Sequence, residues 1–465
     1  MMRGSVLLAV MATAVLGLAS GPAGAAGFQI REQSTAALGN AMAGASASAQ
    51  DVTYMAFNPA SIGLVEGNQI ATLGSGIFVS FDIEDTEARS VVPDPATGQG
   101  FDVTGGGDDN GGETAFVPGL AAKWRVNDQL DLGLAVTAPW GLRTDYDDDW
   151  AGRYHALESE LTTINIQPVV SLKPTKRLTV AGGLQIQYID ATLSNAVDFG
   201  TIGAAGAASV PGLASAFANA GVNPVPGQND GFAEVTGDDW DLGYLFGLIY
   251  EFTPGSRVGF AFRSAIEHRL EGDGDFDLDP SGVGGVLSAA TGQFVDTGGA
   301  AEVTIPATAS FGIHHEFSPR WAVLAEAAWT NWAQFDELVV EFDNPAQADS
   351  VTTENWESTW MYAVGLNFMP TRTWTLRAGV GFDESPVPDD TRTPRIPGND
   401  RTWLGIGASW APTPRLSVSG SFVHIFVADS TIDLDAVGEN RFRGSLNADM
   451  QGRAEVVSAQ VNWRF

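Results

Sequence analysis

The connections between strand-like segments constrain this chain more than any other feature. Fourteen segments with alternating polar and apolar residues can be drawn, at about 69–82, 114–126, 129–139, 161–173, 177–192, 240–252, 256–271, 301–317, 320–332, 356–369, 373–382, 401–411, 414–427 and 453–465. Six connections between them are tight and carry Pro or Asn turn chemistry: VND, KPTKR, FTPGS, FSPR, MPTRT and APTP. They alternate strictly with seven long ones, at about 83–113, 140–160, 193–239, 272–300, 333–355, 383–400 and 428–452, rich in Asp, Gly and Pro. A soluble sandwich has no reason to sort its loops in this way. An outer-membrane barrel does, with short turns on the periplasmic side and long loops outside. The fold class expected is therefore all-β and transmembrane: a 14-stranded antiparallel barrel.

Segment lengths and faces agree with this reading. Runs of around 10 to 16 residues suit tilted strands that cross a bilayer and extend past it. In the last segment Val457, Ala459, Val461, Trp463 and Phe465 share one face, and Ser458, Gln460, Asn462 and Arg464 share the other. An even strand count puts both chain ends at the short-turn side, so residues 26–68 precede the first strand and can fold inward as a plug of the lumen. Residues 1–25 read as a secretory signal: Arg3, then the apolar run SVLLAVMATAVLGLA, then small residues at Ala23 to Ala25. An uncleaved anchor is the alternative, though the run is shorter than the roughly 20 residues of a spanning helix. The division expected is signal 1–25, plug 26–68 and barrel 69–465, located in the outer membrane of a Gram-negative cell. The terminal Phe465 is the aromatic end that barrel-assembly machinery reads, or simply the end of an edge strand.

Composition excludes several classes. The balance of 24 basic against 56 acidic residues and a formal charge of −32 argue against nucleic-acid binding, since phosphate neutralisation needs clustered Lys and Arg. There are no cysteines, and the five histidines form no metal-binding spacing, so neither metal nor cofactor is expected. Ser264 and His268 are the only nearby strand pair that could begin a hydrolytic triad, and an enzyme is not expected. The run Asp145, Asp147, Asp148 and Asp149 lacks the glycine turn and the Glu of a calcium loop and reads as a solvated acidic loop.

Particular stretches carry a resemblance. AGFQIREQSTAALGNAMAGASASAQDVTYMAFNPASIGL begins near the expected mature terminus, AFRSAIEHRLEGDGDF and RWAVLAEAAWTNWAQFDEL follow, and GFDESPVPDDTRTPRIPGNDRTWLGIGASW is the most specific. Together they resemble the FadL family of outer-membrane channels for long-chain fatty acids and aromatic hydrocarbons, over essentially the whole mature chain. The resemblance implies a 14-stranded barrel, closed by an N-terminal plug containing short helices, that catches hydrophobic substrate with its outer loops and passes it to an internal pocket. Substrate then leaves sideways through a gap in the wall. It also implies that Phe28 and the Asn58-Pro59-Ala60 turn belong to the plug and its gating, with the turn touching the wall beside the exit gap; a simple linker turn is the alternative.

Strand parity points Arg377 and Arg263 inward, the latter together with Glu267, and Arg401 in the same way. A guanidinium there could meet a substrate carboxylate, or form a wall ion pair with an acid such as Glu32 or Glu326. Fatty-acid importers of the family tend to carry basic residues after strands five and nine. Here Asp190 and Val339 stand in those regions, which leaves room for a neutral substrate. Trp140 and Trp150, with Leu213 and Phe217 on one face of a loop helix, are candidates for hydrophobic capture, unless the loop helices pack on one another. Pro118 and Gly119 should break the second strand and are the candidate lateral opening. The partners expected are a hydrophobic small molecule, outer-membrane lipid including lipopolysaccharide, and the assembly machinery, with the chain a monomer. The competing function is a general diffusion porin for small hydrophilic solutes.

Overall fold

The computed structural model describes residues 27–465; the expected signal segment lies outside them. Fourteen wall strands close a barrel: β1 Gln69–Pro93, β2 Thr114–Arg125, β3 Leu130–Thr137, β4 Glu158–Leu172, β5 Leu178–Asp198, β6 Asp230–Thr253, β7 Ser256–Arg263 continued by Ile266–Asp277, β8 Thr297–Ile305 continued by Thr308–Ser318, β9 Trp321–Thr330, β10 Thr359–Phe368, β11 Trp374–Asp383, β12 Arg401–Thr413, β13 Leu416–Val427 and β14 Ser445–Arg464. Each pairs antiparallel with the next, and β14 returns to β1 with Gln69 opposite Arg464 and Gly76 opposite Val457. Closure removes the free edges whose unpaired N–H and C=O groups lipid cannot satisfy. Short turns at 126–129, 173–177, 254–255, 319–320, 369–373 and 414–415 all fall on one side.

Several strands outrun the alternating segments of the sequence. β1, β5, β6 and β14 continue into the long-loop side, because extended hairpins satisfy the backbone there as well as loops would. Val457, Val461 and Trp463 are exposed on the lipid-facing side of β14, while Ser458, Gln460 and Asn462 are buried toward the lumen. That inversion, apolar out and polar in, is what a barrel in lipid requires. Among the described residues no helix is long and apolar enough to cross a membrane.

One parity expectation fails. Arg263 faces inward, but the interruption at Ser264 and Ala265 shifts the alternation of β7, so Ile266, His268 and Leu270 are buried and Glu267 is exposed.

Residues 27–68 lie inside the barrel and are almost wholly buried, with short helices at Thr35–Leu38 and Ser61–Leu64 and a 3₁₀ turn at Val52–Ala56. Two asparagines fasten this segment to the wall in the same way. Asn40 Nδ2 donates to the carbonyls of Leu366 and Ala378, a cross-strand pair of β10 and β11, at 3.3 and 3.2 Å. Asn58 Nδ2 donates to Leu248 O and Phe260 O, a cross-strand pair of β6 and β7, both at 3.2 Å. Its Oδ1 accepts from Ala60 N at 2.9 Å, which closes the Asn-Pro-Ala turn. The Asn58 contact is thus made on β6 and β7. Such close approach needs a wall without side chains: a Cβ on Gly379 would overlap the Asn40 carbonyl, and one on Gly259 would overlap that of Ser46. Gly379→Val should therefore displace the segment while leaving the barrel paired. Single-channel conductance in planar bilayers should rise from near silence, and an unchanged trace would show that the contact does not hold the segment in place.

Candidate functional site

The lumen above the N-terminal segment holds an apolar cavity of about 710 Å³ of non-atom space, part of it open to solvent. Leu142, Leu161, Leu270, Val303, Leu338 and Ile396 are among the residues that line it, and among the described residues Glu160 is its one ionisable lining residue. Phe28 forms part of its floor, packed in an aromatic cluster. Its ring stands edge-on to Trp332 at 4.7 Å, to Phe335 at 5.7 Å and to Trp140 at 6.1 Å, and tilted against Trp356 at 5.7 Å. Each such pair contributes about 0.5–1.5 kcal/mol beyond buried area. A second, more polar cavity lies on the other side of this cluster, lined by Arg31, Phe57, Trp140, Arg263, Glu326 and Met361 among others. The cluster, with one ring supplied by the N-terminal segment, separates the two cavities.

The wall is interrupted beside the second cavity. The β1–β2 ladder runs in register from Gln69 opposite Lys123 to Phe78 opposite Thr114, but the β2–β3 ladder stops at Leu120 opposite Val136. After Thr137 the chain turns inward and pairs with the N-terminal segment instead: Ile30 N donates to Pro139 O, and Gly141 N to Phe28 O, both at 2.8 Å. Residues 114–119 of β2 consequently have no partner on the β3 side. The expected break in β2 at Pro118 and Gly119 is absent, because both pair in register with Gly74 and Leu73. β2 is locally an edge strand there, the place in a sheet where proline's missing donor is tolerated. The departure belongs to β3, at Pro139. It leaves Pro118 and Gly119 on the rim, with a Cβ on Gly119 directed at the Leu73 side chain. The Asn58 turn, on β6 and β7, does not adjoin this gap.

Of the three arginines read from parity, Arg377 and Arg401 are buried and Arg263 is half-buried, and they do not meet. Arg263 lines the second cavity and donates to Gln185 Oε1 at 2.7 Å, to Gln167 Oε1 at 3.0 Å and to Ala56 O. Arg377 sits near the short-turn side, bound to Gln50 and, at 2.7 Å, to Ser409 Oγ. Arg401, opposite Asp383 at the outer end of β12, leaves Nε and Nη1 without hydrogen-bond partners among the described residues. None makes an ion pair with Glu32 or Glu326 within the described residues. Instead Arg31 of the N-terminal segment reaches Asp383 through two 3.3 Å contacts, and Glu326 accepts from Ser46 N at 3.1 Å.

Of the loop candidates, Trp140 belongs to the aromatic cluster, whereas Trp150 stacks on Tyr146 at 4.6 Å in a separate loop core. Leu213 and Phe217 are not an exposed capture patch: helix Leu213–Ala220 packs them against Phe199, Val283 and Leu287, on helices Phe199–Ser209 and Val283–Thr291. A loop of 30 or more residues can bury its own apolar stripe, as this one does. Sequence reasoning missed Phe335, Trp332, Trp356, Leu338 and Ile396. The apolar Leu338–Val340 run and the aromatics of TNWAQF were the available signals, but they lie in the long connection after β9 rather than in a wall strand.

A buried carboxylate anchors the outer edge of the cluster. Trp356 Nε1 donates to Glu354 Oε2 at 2.8 Å, and burial pushes the Glu354 carboxyl up from its ordinary 4.5 to about 8. The folded state therefore holds a proton that the unfolded loop releases. The stabilisation is full below about 4.5 and is lost as pH rises toward 8. Protease susceptibility of the 333–355 loop should climb between pH 5 and 8 in the native chain and stay flat in Glu354→Gln; parallel profiles would contradict this assignment.

The fold and site together define a β-barrel of the outer membrane whose lumen is filled by its own N-terminal segment and holds an apolar cavity. The chain belongs to the family described as outer membrane protein transport protein (OMPP1/FadL/TodX), which it matches over residues 16–465. It is 28% identical over 456 residues to a long-chain fatty acid transport protein of Escherichia coli, covering 96% of each chain. It is 27% identical over 452 residues to a 47 kDa outer membrane protein of Pasteurella multocida, covering 97% of this chain and 96% of that one. A crystal structure of a Pseudomonas aeruginosa FadL homologue superposes with a TM-score of 0.83 at 25% identity, covering 95% of this chain and all of that one. The Pseudomonas putida toluene transporter TodX shares the fold, with a TM-score of 0.67 at 15% identity, covering 95% of this chain and all of that one.

Proposed function

We propose that this protein takes up hydrophobic small molecules across the outer membrane, receiving them in the apolar cavity above Phe28 and releasing them sideways through the wall between β2 and β3. The observation that carries the reading is the cavity itself, lined by aliphatic and aromatic side chains, with Phe28 in its floor. Burial of an apolar molecule there gains roughly 25 cal/mol per Å² of surface removed from water. The fatty acid transport protein and toluene transporter among its relatives bracket the substrate class. Uncharged molecules suit the site better than carboxylates. The cavity's one ionisable lining residue is acidic, and Arg263, in the deeper cavity, already donates to Gln185, Gln167 and Ala56.

Passage requires the N-terminal segment to act as a plug, with Phe28 withdrawing from Trp332 and Trp356 so that the two cavities join. The Asn58 turn holds the far end of the segment against β6 and β7. Exit through the β2–β3 gap delivers the molecule to the bilayer, where it is soluble, and spares it the aqueous periplasm. A diffusion porin would need an open aqueous lumen, and residues 27–68 occupy it.

Two variants test the reading. Ala191→Trp fills the cavity from its wall and should weaken equilibrium binding of dodecane by at least about tenfold, or roughly 1.4 kcal/mol. Gly119→Arg places a long side chain at the rim of the gap. It should leave binding intact while abolishing cellular uptake of the same hydrocarbon. Unchanged uptake removes the β2–β3 gap from the route, and strong ion conductance by the native protein would favour the porin instead.

A further inference from the structure

A second interruption in the wall lies between β8 and β9, on the long-loop side. Strand Glu337–Phe342 pairs with β8 only at Gly299 to Ala301, opposite Phe342 to Val340, and pairing of β8 with β9 begins at Thr308 opposite Thr330. Between those two ladders, β8 residues 302–306 have no strand partner on that side. The 3₁₀ turn Trp332–Gln334 and Phe335 stand across the opening.

Alternation gives the two edges opposite characters. Leu338 and Val340 point into the apolar cavity together with Ala301 and Val303. Glu337, Val339 and Glu341 point the other way, into a solvent-open outer notch shared with Glu302, Thr304 and Asp336. One side chain lines both spaces, that of Phe335. It is 6% exposed and held edge-on by Phe28 at 5.7 Å and by Trp356 at 4.8 Å. The cavity and the outside are therefore separated here by a single aromatic ring, in contact with the ring that floors the cavity.

We propose that this notch is a side portal through which substrate reaches the apolar cavity, with Phe335 as its door and the surrounding carboxylates as a filter against anions. The portal rests on the uptake reading above. Rotation of one ring about its side-chain bonds opens it without disturbing a ladder hydrogen bond, since no ladder crosses the opening at β8 residues 302–306. The ring's contact with Phe28 makes opening of the portal and loosening of the cavity floor energetically linked. Glu302, Asp336, Glu337 and Glu341 carry four negative charges, and Arg269 offsets part of them through contacts of 3.2 Å to Glu302 and 3.6 Å to Glu341. A concave rim of one sign lowers the local concentration of like-charged solutes, an effect that salt screens. Neutral hydrocarbons cross it without cost, whereas fatty-acid anions are repelled.

The absence of native cysteine allows the portal to be blocked chemically. Val339→Cys places one thiol on the notch side of the strand, and Val437→Cys, on an exposed outer loop, is the control. Modification of Val339→Cys with a polyethylene-glycol maleimide should slow cellular uptake of radiolabelled dodecane by about tenfold or more, as obstruction of a rate-setting gate does. The labelled control should keep the native rate, and Phe335→Ala should exceed it. Replacing Glu302, Glu337 and Glu341 together by Gln should raise laurate uptake severalfold relative to dodecane at low salt, and an equal effect on both would remove the charge filter. Native uptake by labelled Val339→Cys, with dodecane binding to the purified protein intact, overturns the portal and leaves the uptake reading standing. Failure of the native purified protein to bind dodecane overturns both.

Discussion

Everything in this molecule follows from the need to satisfy backbone hydrogen bonds in a solvent that offers none. Closing β14 onto β1 over nearly the full length of both strands joins the two end strands of the sheet, and the outward and inward faces are then fixed by alternation. The same requirement governs the interruptions. Where β3 leaves the wall after Thr137, the freed backbone of Pro139 and Gly141 pairs with Phe28 and Ile30 of the N-terminal segment. The gap is thus stabilised from inside, and the segment that fills the lumen is also the strand partner that keeps the wall open.

That dual role ties the site together. Phe28 contributes its carbonyl to the turn beside the β2–β3 gap and its ring to the cluster between the two cavities. Trp140, between Pro139 and Gly141, likewise belongs to both the turn and the cluster, packed on Phe28 and Trp332. The remainder of the segment is held by Asn40 and Asn58, whose carboxamides reach cross-strand carbonyl pairs over glycine-bearing stretches of wall. Net values of about 1 kcal/mol per hydrogen bond make these fastenings firm collectively and breakable singly.

The candidate site was legible only in pieces. Parity placed Arg263 and Arg377 inward because both lie within regular strand, and it failed at Glu267 because two residues past Arg263 interrupt the alternation. Trp140 stood out as a loop aromatic, but its partners Trp332, Phe335 and Trp356 come from a turn and a loop some two hundred residues away. Pro118 and Gly119 drew attention to the second strand for a sound chemical reason. The break belongs to its neighbour, since proline at an edge needs no ladder donor and so marks the gap without causing it.

The sequence by itself determined the barrel. Fourteen period-two segments with alternately short and long connections admit one way to satisfy the backbone in lipid, and strand number, orientation and the identity of each face are consequences of local pattern. Tertiary structure alone decided where the wall opens, which aromatic rings meet and which arginines find partners. Those depend on contacts between residues far apart in the chain, Phe28 with Phe335 and Arg31 with Asp383, and on the close approach of two backbones, none of which leaves a periodic signature in the sequence.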